Sequence, residues 1–115
     1  MPRYLLSVHS VEGEARAPMG DEQMRTFMQR IGELEQDMTS SGALIHSARL
    51  ASAEGAKVVA VRDGKPVVTD GPFAETKEQL GGFYIVEASD LDDALSWARR
   101  TSECIDKPIE VRAFA

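Results

Sequence analysis

Asp70, His9 and His46 are the residues of this chain best suited to move a proton. Asp70 closes a β-like run and opens the segment Asp-Gly-Pro-Phe-Ala-Glu-Thr-Lys-Glu-Gln-Leu-Gly-Gly, residues 70–82. A plain hairpin needs two to five connecting residues. This longer connection, dense in carboxylates, is expected to form a defined loop and the rim of a cleft. An aspartate there can serve as a base or hold a polar group of a ligand. The same carboxylate can equally cap its own turn by accepting backbone N–H bonds near Phe73. Gly71 is expected to supply a backbone shape that a β-carbon forbids. Phe73 either roofs a ligand or fills the core. Lys77 is placed as a point charge for a carboxylate. Ser7 and His9 share one face of the first strand pattern, and strand pairing can bring His46 near them.

The remaining signals narrow the chemistry. Two histidines and one cysteine, Cys104, complete no metal motif, so no metal and no other cofactor is expected. Cys104 sits in a polar setting and reads as a bystander. Gly81 and Gly82 precede a strand rather than opening a helix, so they do not form a phosphate loop. Thirteen basic residues against 19 acidic ones give a net charge of −6, which argues against a nucleic-acid partner. No polybasic cluster or long apolar run points to a membrane. The start of the chain leads straight into a strand pattern, with no leader peptide, and the expected location is the cytoplasm.

The elements that must position these residues follow from hydrophobic period and turn chemistry. Residues 1–115 read as one domain with an ordinary core. Residues 3–9 are a strand. A helix begins with Asp21 as cap and turns Met24, Phe27, Met28, Ile31, Leu34 and Met38 inward until Gly42 ends it. Strands are expected at 43–50, 57–61, 66–69, 83–88 and 108–114, with Asp63-Gly64 as a type I′ turn. Thr76 and Gln79 read as the box of a short helical turn. Asp90 caps a second helix that buries Leu91, Ala94, Leu95 and Ala98. Apart from the hairpin the order is βαββαβ, the ferredoxin-like α+β plan, with both helices on one face. Strand one is too apolar on both sides for water, so a second copy is expected to cover the helix-free face, making a homodimer.

Residues 62–84, centred on Asp70-Gly71-Pro72-Phe73, resemble the DGPF subgroup of the YCII-related family. Tyr4, Leu5 and Leu6, the helix exit at Ser41 and Gly42, residues 90–95, and Glu110, Val111 and Arg112 extend the resemblance over nearly the whole chain. It implies a dimeric α+β barrel with a cleft beside each sheet. Arg112 stands with Ser7, Phe73 and Lys77 in the expected ligand-binding set. It also implies kinship with muconolactone-isomerase-like and dehalogenating enzymes. Some relatives are tied to sigma factors, a partner the resemblance alone suggests. Other branches carry a histidine on the first helix paired with an aspartate, but residues 21–38 contain none, so that couple does not transfer. Two functions follow as expectations. One is a small-molecule-binding or regulatory domain linked to sigma-factor signalling. The other is a cofactor-free enzyme acting on a small anionic or lactone-like substrate, with Asp70 as acid/base and His9 or His46 assisting.

Overall fold

A sheet of four antiparallel strands, backed by two helices on one face, forms the body of the molecule, and a hairpin projects from it. The computed structural model describes residues 1–11, 20–72 and 78–115. In chain order the elements are β1 (Arg3–Val11), α1 (Asp21–Ser40), β2 (Leu44–Arg49), β3 (Lys57–Arg62), β4 (Lys65–Asp70), β5 (Glu78–Glu87), α2 (Leu91–Ile105) and β6 (Ile109–Ala113). The sheet order β2-β5-β1-β6 is that of the ferredoxin-like plan, while β3 and β4 pair only with each other.

Strand alternation sorts the sheet into two unlike faces. Tyr4 and Leu6 of β1 stand opposite Val86 and Tyr84 of β5, and all four are buried under the helices with Leu34, Met38, Ala94 and Ala98. The other face carries Leu5 and Ser7 opposite Ile85 and Phe83, flanked by His46 and Ala48 on β2 and by Arg112 and Glu110 on β6.

The turns follow their residue chemistry. Asp63 and Gly64 both take positive φ, 52° and 75°, as a type I′ turn requires. Gly42 ends α1 with φ 79°. Asp90 caps α2 by accepting from the Asp93 N–H at 2.8 Å, and Asp93 in return accepts from the Ser89 N–H at 2.9 Å. Gly71 does not adopt a left-handed φ. What disfavours a side chain there is crowding, because a β-carbon would lie 3.2 Å from the backbone of Ala56, which would have to give by a few tenths of an ångström.

Four further expectations change. Gly20, not Asp21, caps α1, with Gln23 Oε1 accepting from its N–H at 3.2 Å. Met24 and Met28 are exposed, because the first half of this long helix extends beyond the core that Leu34 and Met38 enter. Leu91 and Leu95 are likewise exposed, while Thr101 is buried in their stead and bonds the Trp97 carbonyl. Glu78 and Gln79 belong to β5 rather than to a helical turn, since they pair with Val11 and Ser10.

The β3–β4 arm gives the molecule its outline. Its Cα extents are 49 × 40 × 18 Å and its radius of gyration is 16.8 Å, against about 13 Å for a compact chain of this length. The 18 Å thickness corresponds to one helix layer on one sheet, so the arm runs alongside the body rather than folding over it.

Candidate functional site

The helix-free face gathers most of the residues that the sequence singles out. Ser7 is buried at its centre, opposite Phe83 on one side and Glu110 on the other. His46 stands on β2 with its ring 6.1 Å from that of Phe83, tilted by 49°. Arg112 reaches along β6 to Glu110, Nη2 to Oε1 at 3.2 Å. His9 follows Ser7 past an irregularity in the β1–β5 pairing, where the register skips Gly81. The result is an apolar floor of Leu5, Ala48, Phe83 and Ile85 with polar groups at both ends.

His9 lines a cleft of about 270 Å³ together with Glu78, Pro108, Ile109 and Glu110. An imidazole sharing a cleft with two carboxylates, one of them already accepting from Arg112, offers hydrogen-bond acceptors to a ligand group that donates. A second, shallower cleft of about 400 Å³ lies among the helices, lined by Glu22, Gln23, Thr26, Phe27, Arg30 and Cys104. There the Cys104 thiol donates to the Arg30 carbonyl at 3.8 Å.

Asp70 stands apart from both clefts. Its side chain is 86% exposed and pairs with Lys57 Nζ, its cross-strand neighbour at the root of the arm. The structure therefore joins Ser7, His9, His46 and Arg112 on one face and leaves Asp70 off it. Phe73 and Lys77 lie outside the described residues, as does any bond from Asp70 to the backbone near Phe73. Among the described residues no group of three or more His, Cys, Asp or Glu side chains is arranged to hold a metal ion.

Glu78 and Glu110 join the site although the residue pattern did not single them out. For Glu110 the signal is period two, since it must share a face with Arg112 once residues 109–113 are a strand. Glu78 gave no such signal, being read within a turn.

Behind the sheet, Tyr84 ties the floor of the site to α1, its hydroxyl donating to Glu35 Oε1 at 2.8 Å. Arg100 ties the helices together through Asp37 at 2.7 Å and lies over the Trp97 ring, 5.3 Å from its centroid. Burial first, and then the bond to Glu35, push the Tyr84 phenol above the ordinary tyrosine range. An unfolded tyrosine loses its proton near pH 10, whereas the folded one keeps it. The unfolded state then binds fewer protons than the folded state, so stability is intact below about pH 10 and falls above it. Tyr84→Phe is expected to lose on the order of 1 kcal/mol at neutral pH. It should also flatten the alkaline decline relative to wild type by up to about 1.4 kcal/mol per pH unit above pH 10. Urea unfolding between pH 8 and 11 measures both effects, and parallel curves would show that Tyr84 titrates alike in the two states.

A two-layer α+β chain with an open, polar-tipped sheet face is thus the class of protein that these elements define. The chain belongs to the YCII-related domain family, which matches residues 3–113. It is similar to an uncharacterized protein of Rhizobium meliloti (strain 1021), 38% identical over 81 residues. That match covers 70% of this chain and 65% of the relative's own length. Among the described residues no helix is long and apolar enough to cross a membrane.

Proposed function

We propose that this chain, in the DGPF branch of its family, is a small-molecule-binding module that works as a homodimer closed through the helix-free face. The observation that carries the reading is the convergence of Ser7, His9, His46, Glu110 and Arg112 on one apolar sheet face. A few polar anchors around an apolar floor are what a ligand site requires. The anchors favour a ligand with an apolar body and a donating head, an amine or a hydroxyl. The enzyme reading assigned the base to Asp70. Its partner in the structure is Lys57, and no second proton-transfer group shares a cleft with it among the described residues. The binding reading is the better supported one.

The test is a panel of small organic amines, alcohols and carboxylates followed by amide chemical shifts. Amines or alcohols are expected to move resonances of residues 5–9, 83–85 and 109–112. Glu110→Gln and His9→Ala should each weaken that binding at least fivefold, with melting temperature nearly unchanged as for other surface substitutions. Binding confined to carboxylates and strengthened by Glu110→Gln would reverse the assignment of the head group.

A further inference from the structure

We infer that Gly81 and Gly82 are positioning residues of the proposed binding site. They form a β-bulge that turns over the start of β5 and brings Glu78 onto the ligand face beside His9. This role rests on the binding function proposed above and adds to it what aims the acceptors.

The pairing of β1 with β5 shows the turnover. From Arg3 the ladder runs regularly to Val8 opposite Gly82, and His9 then stands opposite Leu80, with Gly81 passed over. An uninterrupted ladder would set His9 opposite Gly81. It would also put Glu78 on the helix side with Tyr84 and Val86, because strand residues alternate between faces. A one-residue slip reverses every side chain beyond it. Burial follows that reversal. Tyr84 and Val86 are buried while Phe83 and Ile85 are less so, whereas past the bulge Glu78 and Leu80 are exposed and Gln79 between them is partly buried. Glu78 thereby lines the same cleft as His9 and Glu110.

The residue types suit a bulge, in which two residues of one strand oppose one of the other. A β-carbon on Gly81 would lie 2.8 Å from Ser10 Oγ, so one of the two groups would have to shift. A β-carbon on Gly82 would lie 3.1 Å from the Ala48 carbonyl oxygen. The inserted residue is anchored, since the Gly81 carbonyl accepts from the Leu50 N–H at 2.9 Å. The sheet makes the same move on β2. There Leu44 stands opposite Val86 and His46 opposite Ile85, with Ile45 passed over. Leu44 packs against the core, while the His46 ring stands near Phe83 on the other face. Regular alternation would have kept those two residues on one face. Bulges recur beside functional sites, where they re-aim a side chain, and both of these turn a polar residue onto the helix-free face.

A positional swap tests this role, with benzylamine as the probe and amide chemical shifts as the readout. Glu78→Gln combined with Gln79→Glu keeps composition and net charge but carries the carboxylate to the opposite face. The swap is expected to weaken binding roughly fivefold or more, as the loss of a hydrogen bond to a charged group would. Glu78→Gln alone should do the same, and Gln79→Glu alone should bind as wild type does. Gly81→Val should also weaken binding. It should abolish the nuclear Overhauser contact between His9 and Leu80 while that between Leu5 and Ile85 persists. If Gly81→Val does not fold, the swap decides. A swap that binds as wild type does would overturn the positioning role and leave the binding function standing. So would a folded Gly81→Val variant that keeps both the His9–Leu80 contact and wild-type affinity. A wild type that binds neither benzylamine nor benzyl alcohol would overturn both.

Discussion

Replacing Leu6 with alanine is expected to cost about 2–5 kcal/mol, the range for truncating a fully buried leucine. Leu6 has no exposed surface. It stands between Tyr84 on β5 and Val111 on β6, beneath both helices. Those neighbours belong to four different elements, two strands and two helices, so they cannot easily collapse into the space left behind. The lost transfer energy and the cavity therefore add. For a chain of this size each kcal/mol moves the melting temperature by several degrees, so a fall of roughly 10–15 °C is expected. Leu95→Ala is the control. Leu95 is 44% exposed although helical spacing assigns it to the core, and its truncation should cost well under half as much. Thermal unfolding of the two variants side by side decides the matter. Equal losses would mean that α2 packs more deeply than its exposed leucines indicate.

Ile85→Asp is expected to dissociate the proposed dimer without unfolding the subunit. Ile85 lies at the middle of the helix-free face, opposite Leu5 on one side and His46 on the other. It is half-buried in the single chain, so a carboxylate can reach water as long as that face stays open. In a face-to-face dimer the substitution buries two like charges on an apolar floor, a penalty of several kcal/mol per ion. The dissociation constant should therefore rise by at least a hundredfold, about 2.7 kcal/mol. Light scattering across a micromolar concentration series measures this, with far-ultraviolet circular dichroism reporting the fold. A mass that matches wild type at every concentration would place the interface elsewhere.

The order of elements was legible because each carries a local signal. Alternation marks β1, Asp63-Gly64 marks the arm's turn, and Asp90 marks the start of α2. Helical periodicity also showed correctly which side of α1 turns inward. It did not show how far inward contact extends, because that depends on the length of the layer beneath. Met24 and Met28 are exposed for that reason. The early start of β5 was hidden because Glu78, Gln79, Gly81 and Gly82 have poor strand propensity, and pairing with the end of β1 overrides it. The site divides along the same line. Ser7 and His9 were placed together by alternation within one strand, whereas the distance of Asp70 from them depends on where the arm points. That direction is a tertiary fact, absent from the local pattern of residues 57–70.

The arm also bears on how a chain with an open hairpin stays out of fibres. Two paired strands with valines on their surface and open backbone on both outer edges are a template for uncontrolled strand addition. Pro66 deprives the outer strand of one donor just where it begins, and Lys57, Arg62, Lys65 and Asp70 place a charge at each end of the two strands. Charges and proline at an edge are the means by which native sheets discourage such growth. The backbone of the arm is thus guarded while its valines stay available. A chain so built can keep its valines on display and still have little tendency to grow into fibres.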